Sequence, residues 1–228
     1  MSHLAHREIG VLVDFDGTLT RVDTCMGFVR YGMRHSVRSV LLLGCMLPVL
    51  VLAWGVPRWR PWLVSLALWL VTVRRSSRAI ARMLLTYGSL LATRDLLRPE
   101  MTARLHWHVR QGHRVVVVSA SCATWIRPIL NTAGLTGVRI VASRFGFCRG
   151  GLVMRERCAG VAKVQRLVHD QCMQWEYAYA DSVTDLPMLA LAHQPTLVGA
   201  GRLAAWWIKC HLKTVRALEH ITHSGELT

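Results

Sequence analysis

The chain runs to 228 residues and carries 28 Lys+Arg against 13 Asp+Glu, a formal net charge of +15 with a pI near 10.7. That imbalance calls for an anionic partner. However, 52% hydrophobic residues, a mean hydropathy of +0.30 and the lack of any readable DNA- or RNA-binding motif argue against a nucleic-acid binder.

The first residues, 1–8, hold no signal-peptide core, so the catalytic domain is expected to stay in the cytosol. A strand is predicted at 9–14, inside the string Gly-Val-Leu-Val-Asp-Phe-Asp-Gly-Thr-Leu-Thr at 10–20. Such a buried strand delivers Asp14 to the carboxyl edge of a parallel sheet, and Gly17 lets the chain turn away sharply. Two acids spaced one residue apart, Asp14 and Asp16, suit a division of labour between nucleophile and general acid/base.

Residues 24–94 then contain ten arginines and no acidic residue. Two apolar blocks lie inside: Val40–Val56, broken by Pro48, and Pro61–Val73, with Trp54, Trp59, Trp62 and Trp69 at or near their edges. A transmembrane span needs about 20 apolar residues, so the first block is marginal and the second too short. Arg58 and Arg60 would also fall in the far-side loop, against the positive-inside tendency. The expectation is an interfacial or re-entrant helical hairpin, with arginines toward lipid phosphates and tryptophans at headgroup level. The alternative is a water-soluble insertion whose helices bury these residues against one another.

Downstream, helices are predicted at 95–111, 122–133, 160–171 and 184–193, and strands at 114–118, 138–142, 176–180 and 196–198. This alternation implies a parallel sheet covered on both faces. Residues 144–154, with Gly146, Gly150 and Gly151, read as a hairpin. His106-x-His108 is not read as a metal pair, because a helix turns the two side chains apart. The seven cysteines form no Cys-x-x-Cys and are scattered, which speaks against a disulfide framework or a zinc site. Most of them read as small buried residues of a reducing compartment. The β-branched strand 115–118 ends in Ser119-Ala-Ser121, and the strand 176–180 ends in Asp181, four residues before Asp185. Lys163 is one of only three lysines; an Arg-rich chain that places Lys here suggests need for a compact point charge, the alternative being a solvated helix-start lysine. Residues 199–228 read as a basic amphipathic helix that either packs on the sheet or lies at an interface.

The Asp-x-Asp-Gly-Thr-Leu-Thr string, the strand ending in Ser119, Lys163 and the Asp181/Asp185 pair together resemble the haloacid dehalogenase (HAD) superfamily of phosphohydrolases. The pattern is most similar to its phosphoserine-phosphatase-like branch. The resemblance implies a three-layer α/β/α Rossmann-like core (1–20 and 95–198) with a helical, hydrophobic C1-type cap inserted at 21–94. It implies that Asp14 attacks phosphorus, that Asp16 serves as acid and then base, that Ser119 hydrogen-bonds a phosphoryl oxygen (with Ser121 as competitor), and that Lys163 neutralises charge. Mg²⁺ is implied on the carboxylates of Asp14 and Asp181 and the main-chain carbonyl of Asp16. Asp185 is implied to orient a metal-bound water, the alternative being a helix N-terminal carboxylate. The Arg-rich insertion, Ala-Ser-Arg-Phe at 142–145 and Cys-Ala-Gly-Val-Ala-Lys at 158–163 look most like the phosphatidylglycerophosphatase C family. This implies an anionic phospholipid substrate, no nucleic acid, and a place at a bacterial inner membrane with the catalytic domain on the cytoplasmic side. The competing expectations are a phosphatase of a small soluble ester such as phosphoserine and a membrane-bound scaffold without activity.

Overall fold

The computed structural model describes residues 8–56, 59–167, 174–211 and 219–221. Strand β1 (Ile9–Val13) is central because its side chains from Val11 to Val13 are fully buried, on both faces of the sheet. Around it lie β2 (Arg114–Cys122), β3 (Arg139–Cys148), β4 (Gly151–Glu156), β5 (Gln174–Ala180), β6 (Gln194–Val198) and β7 (Glu219–Ile221). The order is β4-β3-β2-β1-β5-β6-β7, with all neighbours parallel except β3 and β4. The chain moves outward from β1 to β3 on one side and resumes at β5 on the other. The order therefore reverses beside β1, and a crevice opens at its carboxyl end.

Alternation along the strands divides the core. Val11, Val13, Val115 and Val117 join a cluster with Met101, Leu105 and Trp125. Leu12, Val116, Val118, Ala178 and Ala180 face a second cluster with Leu167, Met188 and Ile208. This is the expected three-layer arrangement.

Four helices are inserted between β1 and α5 (Pro99–Arg110): α1 (Thr24–Arg34), α2 (Val37–Trp54), α3 (Arg60–Thr72) and α4 (Ser77–Ala92). Asp23, Ser36 and Ser76 cap the starts of α1, α2 and α4 with side-chain oxygens. The insertion is tied to the core at two places. Helix α4 packs on α6 (Ala123–Thr132) through Gly88, where a Cβ would stand 3.0 Å from the Trp125 Cα. Helix α3 covers the free edge of β4: Thr72 Oγ1 accepts from Leu152 N at 2.8 Å and Ser65 Oγ from Met154 N at 3.0 Å, which satisfies an otherwise open strand edge.

The two apolar blocks, alike in composition, end differently. Helix α3 buries Leu63, Ala67, Leu68, Leu70 and Val71. Helix α2 leaves Val37, Leu41, Leu47, Val49, Val51 and Leu52 exposed, Leu52 to 80%. Among the described residues no helix is long and apolar enough to cross a membrane. Eighteen residues of α2 span about 27 Å, short of a hydrocarbon core of about 30 Å.

Three sequence expectations shift. Strand β3 runs on to Cys148 because its second half pairs with β4 as the predicted hairpin, turned by Arg149 and Gly150 at φ 46° and 76°. The helix expected at 184–193 is a 3₁₀ turn (Val183–Asp185) followed by the short α8 (Leu186–Leu189). The C-terminal segment is not one helix: α9 (Arg202–His211) is followed by β7, which pairs with the edge of β6, an alternative outlet for backbone hydrogen bonds. The parts of that prediction at 212–218 and 222–228, and the predicted end of α7 (Val161–Leu167) at 168–171, lie outside the described residues.

Candidate active site

The motif strings converge on the carboxyl end of β1. Asp14 follows the strand directly, and its amide donates to the Tyr179 carbonyl at 2.9 Å, so the ladder with β5 fixes its backbone. Lys163, in the first turn of α7, reaches Asp14 Oδ1 at 2.5 Å and Asp185 Oδ1 at 2.7 Å. It is 2% exposed, so it is not the solvated lysine of the alternative reading. Burial opposes its charge, but Asp14 and Asp185 outweigh that and hold its pKa above the ordinary lysine value. Removing Lys163 would strand two buried carboxylates.

Asp14, Asp181 and Asp185 each offer an oxygen, all within 4.8 Å of one another. Thr18 Oγ1 lies between two of them, 3.2 Å from Asp14 Oδ2 and 3.3 Å from Asp181 Oδ1. Burial, then the neighbouring acids, push Asp181 up to about 7, and burial and Asp14 push Asp185 up to about 6. Crowded oxygen-only donors with raised pKa values are a fit for a hard divalent cation such as Mg²⁺. Asp185 precedes α8 but makes no side-chain cap bond there; its carboxylate goes to Lys163 instead. Gly17 allows the crowding, since it sits at φ +86° and a Cβ there would collide with the Asp181 carboxylate. Arg98, from the start of α5, holds that turn through the Gly17 carbonyl, with Nη2 at 3.1 Å.

Asp16 lies outside this trio, turned toward the inserted helices. Its Oδ1 accepts from the Thr24 amide at 2.8 Å and the Thr24 hydroxyl at 2.7 Å, and its Oδ2 accepts from Ser121 Oγ at 2.5 Å. Burial nonetheless wins over these hydrogen bonds and lifts Asp16 to about 6. A carboxyl group poised there can hold a proton and release it near neutrality. The serines separate: Ser121 commits its hydroxyl to Asp16, whereas Ser119 Oγ accepts from the Ser121 amide at 2.9 Å and has only a 3.4 Å approach to Asp16. Ser119 thus donates to Asp16 Oδ2 only over that long 3.4 Å contact, a bond that a closer acceptor can replace.

Sequence reasoning missed Thr24 and Thr18. Thr24 links the site to the insertion: its hydroxyl accepts from Trp125 Nε1 at 3.0 Å, and its carbonyl accepts from Tyr87 Oη at 2.8 Å. Thr18 lies inside the motif string, but the string alone assigns it no contact; Thr24 stands one residue after the Asp23 cap, where no string marks it.

The HAD family model, described as haloacid dehalogenase-like hydrolase, matches residues 11–190. The chain belongs to the haloacid dehalogenase-like hydrolases. Among solved structures it is similar to a protein of unknown function from Bordetella pertussis Tohama I (15% identity, TM-score 0.66, 90% of this chain and 96% of that one). It is also similar to phosphoserine phosphatase from T. onnurineus (17%, 0.54, 95% and 99%) and to cytosolic 5'-nucleotidase IIIB bound to cytidine (14%, 0.56, 94% and 80%). At these identities the likeness is one of fold. Family membership makes the chain a HAD hydrolase, and the scaffold expectation falls with it.

Proposed function

We propose that this hydrolase is a phosphomonoesterase working through an aspartyl-phosphate on Asp14, and that it acts on the terminal phosphate of an anionic phospholipid, phosphatidylglycerophosphate, at the cytoplasmic face of a bacterial inner membrane. The observation that carries the chemistry is the pair of unlike acids: Asp14 hydrogen-bonded by Lys163 Nζ, and Asp16, two residues on, lifted by burial to about 6. Asp14 forms a bond to phosphorus while the ester P–O bond breaks. Asp16 gives its proton to the departing alkoxide oxygen. In the second half, Asp16 takes a proton from the attacking water, and inorganic phosphate leaves as Asp14 is regenerated. Lys163 balances the charge of Asp14 as an anionic group approaches, and the Ser119 hydroxyl is placed to donate to a phosphoryl oxygen. Asp14 and Asp181, with the main-chain carbonyl of Asp16, would hold Mg²⁺, and Asp185 would orient its water. The bound ion supplies the charge neutralisation that brings a carboxylate and a phosphate together.

The lipid assignment rests on the outward apolar face of α2 within residues 24–94, which carry ten arginines and no acids. A phosphate confined to the headgroup plane requires an enzyme that comes to that plane. A second reading, a small soluble ester such as phosphoserine, is favoured by the fold similarity to phosphoserine phosphatase and by the absence of a spanning helix among the described residues. Hydrolysis rates for phosphatidylglycerophosphate in mixed micelles and for phosphoserine in buffer separate the two. The proposal expects the lipid to be turned over far faster, with activity stopped by EDTA and restored by Mg²⁺. Faster phosphoserine turnover would replace the lipid reading with the second, and activity that survives thorough chelation would remove the metal.

A further inference from the structure

The junctions α1–α2 and α3–α4, one pole of the insertion, gather six arginines. Arg34 closes α1, Arg38 opens α2, Arg74 and Arg75 follow α3, and Arg78 and Arg82 stand in the first two turns of α4. Among the described residues none of the six forms an ion pair. Three of them have an internal explanation: Arg34, Arg74 and Arg75 lie at the negative carboxyl ends of α1 and α3, where cations are favoured. Arg38 and Arg78 have the opposite setting. They occupy the first turns of α2 and α4, where the helix dipole and the free amides disfavour a cation and favour an anion, and neither helix has an acid in its first turn.

Two hollows open at this pole and share Arg75. One, of about 320 Å³, is lined by Tyr31, His35, Arg75, Arg82 and Thr86 among others. The other, of about 170 Å³, has Ser36, Arg38, Ser39, Arg74 and Arg75 in its wall. Neither wall contains a carboxylate, and both mix guanidinium groups with hydroxyls, the donor set that matches the several acceptor oxygens of a phosphate.

We propose that this pole is a second anion-binding site, centred on Arg75, that takes a phosphate group and is separate from the catalytic crevice. Helix α1 measures the separation: Thr24 holds Asp16 at one end and His35 lines the larger hollow at the other, about 16 Å away at 1.5 Å per residue. One phosphate cannot serve both places. The group arrives either as free phosphate or on a lipid headgroup.

The test compares Arg75→Gln/Arg82→Gln with Arg110→Gln/Arg127→Gln, which removes the same charge elsewhere. Binding of inorganic phosphate is measured by titration calorimetry in EDTA, where the bare acids of the catalytic site repel phosphate. Co-sedimentation is measured with phosphatidylcholine vesicles with and without phosphatidic acid. The Arg75/Arg82 variant should bind about tenfold more weakly, the loss expected of charge-assisted hydrogen bonds, while the control stays near wild type. A calorimetric signal that competes with the vesicles identifies free phosphate as a ligand; vesicle binding without such a signal identifies the headgroup. Unchanged binding of both probes, or an equal fall in the control, overturns the proposal. Turnover of p-nitrophenyl phosphate with Mg²⁺ should be unaffected in both variants; a parallel fall in the Arg75/Arg82 variant would show that the pole is not separate from catalysis and would overturn it too.

Discussion

The sheet edge and the inserted helices handle charge in opposite ways. At the edge, Lys163 lies between two carboxylates at contact distance, and Asp16 has three close donors and a fourth, Ser119 Oγ, at 3.4 Å. In the insertion ten arginines face no acid within 24–94, and α2 keeps an apolar face in the open. Buried charges must find partners inside the fold because water cannot reach them, whereas exposed ones can wait for partners from outside. The edge thus satisfies its charges from within, whereas residues 24–94 carry a large excess of positive charge.

The largest effect should come from breaking the edge. Asp14→Asn keeps the shape but makes a far poorer nucleophile, so kcat should fall by about 10⁴-fold or more without loss of the folded circular-dichroism signal. Asp16→Asn should lose about 10²- to 10⁴-fold on alkyl esters, the usual span for a general acid, and far less on p-nitrophenyl phosphate in the first half-reaction, because its leaving group needs no proton. Normal turnover by a folded Asp14→Asn protein would rule out the aspartyl-phosphate.

A smaller effect should come from the surface. Val49→Asp with Leu52→Asp changes side chains that are 56% and 80% exposed, so p-nitrophenyl phosphate hydrolysis should persist while co-sedimentation with anionic vesicles falls about tenfold. By contrast Leu68→Asp, fully buried, should prevent folding. If the double variant also unfolds, α2 is covered in solution and the comparison between α2 and α3 fails.

The same division explains what the sequence disclosed. Asp14, Asp16, Ser119 and Asp181 were legible because each sits in a short string at or just past the end of an apolar strand, and a parallel sheet sends such ends to one edge; Lys163 in the first turn of α7 and Asp185 in the 3₁₀ turn after β5 were legible from the motif resemblance. Thr24 was not, because its role depends on Trp125 from 101 residues away and Tyr87 from 63. The divergence of α2 from α3 was also hidden: both are apolar, and only the β3–β4 hairpin, with its free edge, selects α3 for burial. Strand β7 was missed for a similar reason, since pairing with the edge of β6 overrode a weak helical period.

The smallest predicted effect touches neither surface nor chemistry. His108, fully buried under the sheet, shares hydrogen bonds of 2.9 Å with Tyr179 Oη through Nε2 and with His113 through Nδ1. Burial, then His113 and Arg104, lower it from 6.5 to about 4. A histidine depressed in this way adds nothing to the pH dependence above pH 6.5, where it is neutral folded or unfolded. As pH falls from about 6.5 to about 4, the unfolded chain binds a proton that the folded one refuses, so stability declines through that window and levels below it. Linkage puts the loss near 1 kcal/mol at about pH 5.5. Urea unfolding of His108→Gln, which keeps a hydrogen-bonding side chain but cannot titrate, should show a shallower decline over that window, with Mg²⁺-dependent turnover at pH 7.5 unchanged. An equally steep decline in the variant would assign the acid sensitivity to other groups.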